Sequence, residues 1–428
     1  MADCTGDGER CRDGIAVRYL DRLLQTSLER SSGNSASGMH ALIKNLLALL
    51  ALAALAIYFA HLFPKMQKGT DFADFYIAAK MVLQGRGHQL YDPAIQNEFL
   101  ARSSGRVGTY FIHPPFETLV YLPFSLWTLS RAYVLWCLFN MILLIAVARA
   151  FAQHTFRNWT LHVLLALQLL FVPVLLDLLH GQDSLLLLFL LVSAFAALES
   201  EKGGAAGCLL ACGLFKFHLA LAVAIPILLG GRKKVVAGFA SVAAVLLLIS
   251  VEISGWGVLV SYPRFLAHFS QLPLAGVHLE QMANLRGLFG LAFPGRAMAA
   301  LSMTVFSSLL ILWLAARSWI ASAGRTRQSA SLPFANVVIG AILVSYHLSP
   351  HDLVILLLPM ALILHHLMGC SEIPAWSRAG FVATLGVLFL PPLHLISLQA
   401  HVYTYICLPI LTLFGITYVE IRRVSVQN

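Results

Sequence analysis

The chain has 428 residues, of which 59% are hydrophobic and only 11% are charged. Because soluble proteins average roughly 25% charged residues, this composition excludes an ordinary soluble globule. The formal net charge of +9 lies in short basic clusters between apolar runs, a pattern typical of membrane orientation signals, and it therefore predicts no nucleic-acid partner.

The first residues of the chain differ in composition from the remainder. Residues 1–38 are polar and carry both charge signs, which predicts a disordered cytoplasmic tail. Cys4 and Cys11 within it have a spacing typical of no metal motif. Met39 opens a more conventional start, since an apolar run follows without a small-residue cleavage site. We expect residues 39–428 to form one integral membrane domain, with Met39 as a candidate translation start.

Apolar runs long enough to cross a hydrocarbon core about 30 Å thick recur along most of the chain. The predicted spanning helices lie at about 41–63, 131–149, 160–179, 183–198, 234–253, 299–316, 333–348, 352–368, 379–396 and 402–421. Two further segments do not fit one span each, because 115–128 is short and 204–229 is interrupted by Lys216 and His218. The sequence thus predicts an all-α polytopic membrane protein.

Basic residues near span ends favour the cytoplasm and so predict the orientation of the chain. The clusters concerned are Arg149 with Arg157, Lys202, Arg232 to Lys234, Arg317 with Arg325 and Arg327, and Arg422 with Arg423. They share one side only if 204–229 is a hairpin and 115–128 is a re-entrant or interfacial helix. The opposite, outer face then gathers the polar segments 64–114, 180–183, 216–218, 255–297 and 347–352.

The first outer loop contains two aspartates beside an apolar stripe that predicts a helix. Asp71 stands just before this helix, and Asp74 lies in its first turn. Either carboxylate could cap the helix or complement its dipole without any role in catalysis. Both are also candidate catalytic groups, so the sequence leaves the two interpretations open.

Two more polar sites follow in chain order. Tyr110 and His113 precede a proline pair, and either could be an interfacial anchor or a substrate ligand. Gln182 and Asp183 occupy a tight turn between two apolar spans. Because a charge near the bilayer is costly to desolvate, Asp183 should either have a donor nearby or cap the next helix.

Lys216 interrupts an apolar hairpin, far from the cytoplasmic basic residues, so its side chain cannot simply extend to the inner surface. With His218 beside it, the ammonium is a candidate contact for a phosphate. Arg286 and His351 are further candidates on the same face. Pro350 interrupts any helical face that His351 could share with His347, and the seven Cys are scattered, so we predict no metal site and no disulfide framework.

Taken together, these motifs resemble glycosyltransferase family 87, whose members are integral-membrane transferases of the GT-C superfamily. The resemblance runs from about residue 41 to the C-terminus. It is carried by DFADFYIAA with a following glycine and LYDP from Asp71 to Pro93, YFIHPPF from Tyr110, HGQDSLLL from His180, FKFHLALAVAIPILL from Phe215, and NLRGLFG from Asn284.

The resemblance implies a GT-C-like bundle of about ten to thirteen transmembrane or re-entrant helices in the plasma (inner) membrane. It also implies an inverting transfer of a hexose such as mannose from a polyprenyl-phosphate donor to a lipid, glycolipid or cell-envelope acceptor on the outer face. Asp71 occupies the position of the general base, and the donor phosphate would meet cationic or hydrogen-bonding residues. No cofactor is expected.

A polytopic transporter or lipid flippase is the alternative, because many spans and a re-entrant segment also suit a solute pathway. Such proteins often show inverted repeats and ionisable groups near the bilayer midplane. In this sequence the two halves are dissimilar and the charges fall at predicted span ends. A non-enzymatic scaffold would leave the outer polar cluster unexplained.

Overall fold

The computed structural model describes residues 45–46, 49–50, 53, 71–272, 278–322, 330–370 and 372–427. The predicted tail at 1–38 lies outside the described residues, as does most of the predicted first span at 41–63. Within the described ranges the protein is helical and has no β-strand. The prediction of an all-α membrane protein is therefore confirmed for this part of the chain.

The described part of the segment predicted as the first outer loop contains two helices. Helix α1 is Phe72–Leu83 and helix α2 is Pro93–Ser104, which begins where the Asp92 carboxylate accepts the backbone N–H of Ala94 at 2.9 Å. Helix α3, Thr118–Ser125, is too short to span a bilayer, which agrees with a re-entrant or interfacial segment. Buried side chains of α1 form a hydrophobic cluster with side chains of α2, of α3 and of the segment from Leu129 to Cys137.

Six stretches within the described residues are long and apolar enough to cross a membrane, or up to eight if each bent helix pair is one span. These counts do not confirm the predicted ten to thirteen transmembrane or re-entrant helices. The long helices are α4 (Leu129–His154), α10 (Lys233–Ser254), α13 (Ala297–Ser322) and α18 (Cys407–Gln427). Helices α10 and α13 expose most of their apolar side chains, as lipid-facing helices do.

Two predicted spans are bent, which corrects the expectation of continuous helices at 160–179 and 379–396. The first divides into α5 (Leu161–Leu170) and α6 (Val172–His180) with a bend of 77°. The second divides into α16 (Ala375–Phe389) and α17 (Pro391–Gln399) with a bend of 51°. In each pair the second helix has a proline in its first two positions. Because proline lacks an N–H and restricts the residue before it, the helical hydrogen bonds are interrupted there.

Helices α8 (Gly203–Cys212) and α9 (Phe217–Leu229) form the segment predicted as a hairpin. As one straight helix of 27 residues the segment would be roughly 40 Å long at about 1.5 Å per residue. Yet Gly203 lies against Val235, which follows α9 after only a short linker. Since the three residues 230–232 reach at most about 14 Å, the chain must fold back near Lys216. The contacts therefore favour the hairpin.

Five further helices complete the described part of the bundle. These helices are α7 (Ser184–Glu199), α11 (Val258–His268), α12 (Leu285–Ala292), α14 (Ser331–Val344) and α15 (Leu357–Gly369). Most side chains of α7, α14 and α15 are buried, so these helices lie inside the protein. Helix α15 continues a 3-10 turn that begins at Pro350 and carries His351 and Asp352.

Candidate active site

A cavity of about 310 Å³ lies where segments far apart in sequence converge. All nine residues that the sequence proposed for the site line its wall, namely Asp71, Asp74, Tyr110, His113, Gln182, Lys216, His218, Arg286 and His351. Asp71 and Lys216 therefore lie on the same side of the protein. Residues 266–270, in and just after α11, and residues 346–352 complete the wall. The catalytic and binding roles of these residues stay predictions.

Asp71 is held at the start of α1 by contacts from the distant turn after α6. Its Oδ2 accepts a hydrogen bond from Gln182 Nε2 at 2.8 Å and lies 3.3 Å from His180 Nδ1. The Asp71 side chain makes no capping hydrogen bond to α1, and 42% of it is exposed. The capping interpretation therefore does not explain Asp71, which instead presents a partly exposed carboxylate to the cavity.

The two aspartates of α1 differ in protonation. Burial opposes the charge of Asp71, but the hydrogen bond and positive charge of His180 outweigh it and lower the pKa of Asp71 to about 2. Burial raises the pKa of Asp74 to about 7, although a hydrogen bond from Thr109 Oγ1 at 2.6 Å acts in the opposite direction. At neutral pH Asp71 is ionised, whereas Asp74 is near its midpoint.

Lys216 is almost fully buried and its ammonium makes three contacts. Nζ lies 2.6 Å from Asp352 Oδ1, 2.9 Å from Asp183 Oδ1 and 2.9 Å from Ser184 Oγ. Asp183 makes no capping hydrogen bond to α7, so of the two predicted alternatives it uses the nearby donor. A phosphate that contacted Lys216 directly would have to compete with these carboxylates.

Arg286 is the accessible cation of the cavity wall. Its guanidinium lies 4.0 Å from the ring centroid of Tyr346, and Nη1 donates to the Tyr346 carbonyl at 2.8 Å. Within the described residues it forms no ion pair. Asn284 fixes the start of α12 by accepting the Gly287 N–H at 2.9 Å, which places Arg286 in the first turn. The arginine thus has hydrogen-bond donors left for an anion.

Four histidines also line the cavity, namely His113, His218, His347 and His351. His113 Nδ1 lies 2.8 Å from Glu117 Oε2, and burial lowers the pKa of His113 to about 4, so this ring is neutral at neutral pH. His218 Nδ1 contacts Ser345 Oγ at 2.8 Å. The ring of His351 lies 5.9 Å from the ring of His180. Neutral imidazoles can donate hydrogen bonds without adding net charge.

Sequence reasoning missed several residues that shape this site. Glu117 and Asp177 are buried carboxylates, and Asp352 is the closest partner of Lys216. The signal for each was a carboxylate within an apolar stretch, where an isolated charge is costly and needs a partner. Asp352 follows Lys216 by 136 residues, so their pairing could not be read from local spacing.

Comparison with known protein families identifies the chain. The sequence model of glycosyltransferase family 87 matches residues 111–350, which is more than half of its length. The chain belongs to glycosyltransferase family 87. No curated protein and no solved structure matches it.

Membership of glycosyltransferase family 87 makes this protein a membrane-embedded glycosyltransferase. The matched region includes His113, Gln182, Lys216 and Arg286, but it begins after Asp71 and Asp74. The cavity joins the two parts, because residues of the matched region and both aspartates line one wall. The expected family is thus confirmed, and the contact between Gln182 and Asp71 links the first outer loop to it.

Proposed function

We propose that this protein transfers a hexose, with mannose as the first candidate, from a polyprenyl-phosphate donor to a lipid-linked or cell-envelope acceptor, with inversion at the anomeric carbon. The observation that carries the proposal is the ionised carboxylate of Asp71 on the wall of a cavity that also presents Arg286. A base and a cation facing one space are what such a transfer requires.

In this proposal Asp71 acts as the general base. An acceptor hydroxyl attacks the anomeric carbon while its proton passes to the Asp71 carboxylate, and the carbon–oxygen bond to the polyprenyl phosphate breaks on the opposite side of the sugar. A carboxylate with a pKa of about 2 is ionised but only weakly basic. Proton transfer is therefore late, after bond formation to carbon has made the attacking hydroxyl acidic.

The departing phosphate needs positive charge and hydrogen-bond donors. We assign the direct contact to Arg286, which has unpaired donors, with His351 and His218 as hydrogen-bonding partners. Lys216 stays a candidate, but its three contacts favour a supporting role in which it balances Asp183 and Asp352. Tyr110 and Asp74 lie on the same wall and are candidates for contacting the sugar or acceptor.

We place the cavity on the outer face of the plasma (inner) membrane. The contact between Gly203 and Val235 puts Lys202 and the basic run at Arg232 on one side of the bundle. The cavity is formed at the other end of these helices, since Lys216 lies at the apex of the hairpin. Basic residues at span ends favour the cytoplasm, which leaves the cavity facing outward.

Purified protein in lipid nanodiscs tests the proposal. Polyprenyl-phosphate mannose carrying a labelled sugar, supplied with a membrane glycolipid extract, should yield a labelled glycolipid, whereas a nucleotide-linked mannose should not. Transfer from the nucleotide sugar alone would overturn the assigned donor class. Movement of the label across a proteoliposome membrane without any new glycosidic bond would overturn the transfer proposal and favour a transporter.

A further inference from the structure

A second group of ligating side chains lies beside the cavity and takes no part in the proposed transfer. His113, Glu117 and Asp183 each place one ligand atom within 4.8 Å of the others. They come from two separate parts of the chain, the YFIHPPF segment with its following glutamate and the turn before α7. His113 reaches the cavity wall, while Glu117 and Asp183 are 1% exposed.

The carboxylates of this cluster have oxygen atoms without hydrogen-bond partners. Glu117 Oε2 faces His113 Nδ1 at 2.8 Å, but Glu117 Oε1 has no hydrogen-bond partner. Asp183 Oδ1 pairs with Lys216, whereas Asp183 Oδ2 has none. Buried carboxylate oxygens are normally satisfied, because an unpaired charge in a low-dielectric interior costs several kcal/mol. A cation between the two carboxylates, or a proton that they share, would satisfy these oxygens.

Further buried polar groups lie next to the cluster. Asp177, Asp183 and Asp352 belong to one buried network through Ser184 and Lys216, and the buried Glu117 lies beside Asp183. Lys216 is the one buried Lys or Arg among the described residues. One imidazole nitrogen and two carboxylates that meet at one point form a donor set that suits a divalent cation.

We propose that His113, Glu117 and Asp183 bind a divalent cation behind the cavity wall. One imidazole nitrogen with two carboxylates suits zinc or manganese, whereas magnesium and calcium prefer oxygen ligands alone. The ion would join the YFIHPPF segment to the start of α7 and so position the wall that His113 shares with Lys216. This inference concerns ion binding and stands or falls independently of the donor in the proposed function.

Elemental analysis of the purified full-length protein tests the site. After saturation with zinc or manganese and desalting, the wild type should retain about one ion per chain, and Glu117→Gln should lose it. Asp177→Asn is the matched control, because it neutralises a buried carboxylate of the same network outside the ligand set and should retain the ion. His113→Gln should reproduce the loss if Glu117→Gln proves difficult to purify.

A second comparison locates the ion. Asp71, His180 and His351 also place ligand atoms within 4.8 Å of one another, so Asp71→Asn should retain the ion if our assignment is correct. Retention of a full equivalent by Glu117→Gln, or its loss from Asp71→Asn, would overturn the assignment. A wild type that retains no ion, and whose melting temperature does not rise with zinc or manganese after chelator treatment, would show that the carboxylates share a proton.

Discussion

Asp71 and Asp74 lie three positions apart at the start of one helix, yet their surroundings give the two carboxyl groups different pKa values. Asp71 is held by two side-chain donors, whereas Asp74 has the Thr109 hydroxyl and is more strongly desolvated. Carboxylates whose pKa values are separated by their environments often take different roles in a reaction. The pH dependence of transfer can therefore distinguish which aspartate acts as the base.

Between pH 5 and pH 8 we expect the ionisation of the general base to cause no change in kcat/KM. Asp71, with a pKa of about 2, stays ionised over this range. If Asp74 were the base, with its pKa of about 7, its ionised fraction and the rate would fall by about a hundredfold from pH 8 to pH 5. Steady-state kinetics across this range, with melting temperatures measured at each pH as a control, separate the two outcomes.

Lys216 provides a prediction about stability. Lys216→Met leaves Asp183 and Asp352 buried without their cation and should destabilise the protein by about 3–5 kcal/mol, a cost typical of breaking a buried ion pair. Lys202→Met, which removes an exposed lysine, is the control and should change little. Denaturant titrations in detergent measure both. Unchanged stability of Lys216→Met would show that the ammonium serves the substrate alone.

At this scale the sequence predicted which residues line the site better than which residues they contact. Asp71 and Lys216 could be found because a charge in or beside an apolar stretch is costly and calls for a function or a partner. The pairs Lys216–Asp352 and Asp71–Gln182 join residues 136 and 111 positions apart. Such contacts depend on how the helices pack, and local spacing does not contain that information.

The α8–α9 hairpin is the element that sets the position of Lys216. Helix α8 lies parallel to the start of α10, and the two backbones are very close. They can approach because Gly204, Gly207 and Gly238 have no side chains to separate them. Close packing through small residues is typical of helices in membranes. The hairpin thereby places a lysine at its apex, next to the carboxylates of α7 and the 3-10 turn at Pro350.

Cysteine labelling tests the hairpin. In a cysteine-free background, Ser200→Cys and Lys233→Cys should react with a membrane-impermeant thiol reagent from the same side, because both exposed positions flank one end of the hairpin. Ser103→Cys, on the exposed surface of α2, should react from the opposite side. Labelling of positions 200 and 233 from opposite sides would show that the segment crosses the membrane once.

A glycine substitution tests the helix packing. A Cβ at Gly207 would overlap the carbonyl oxygen of Val235 and lie 2.7 Å from Phe239 N, so Gly207→Ala must push α8 and α10 apart. We expect a loss of about 1–3 kcal/mol in stability. Gly386→Ala, also within a helix but with nothing within 4 Å, should be neutral or stabilising by up to about 1 kcal/mol. Equal effects would contradict the close approach.

Element positions were largely predictable, since each predicted apolar run from residue 131 onward corresponds to a helix or a helix pair. The bends were not predicted at 160–179 and 379–396, although Pro173 and Pro391 carried the signal. Hydropathy averages over a window and is insensitive to one missing N–H. The fold-back of the segment 204–229, in contrast, was predicted from the basic residues that flank it. These residues favour one side of the membrane for both ends of the segment.

At the scale of the whole molecule, one cavity collects polar groups from parts of the chain more than 250 residues apart. The family match covers residues 111–350, and the start of α1, which precedes the matched region, supplies Asp71 and Asp74. Lipid-facing helices α10 and α13 lie around a buried interior of α7, α14 and α15. A transferase that joins a lipid-borne sugar to an acceptor requires such a polar site within a membrane-embedded bundle.

The most direct test of this account is sugar transfer from polyprenyl-phosphate mannose by Asp71→Asn compared with the wild type and Asp74→Asn in the same nanodiscs. We predict a fall of about 10²–10⁴-fold for Asp71→Asn, a smaller effect for Asp74→Asn, and a wild-type product whose anomeric configuration is opposite to that of the donor. Undiminished transfer by a folded Asp71→Asn protein, or a product with retained configuration, would contradict Asp71 as the general base of an inverting reaction.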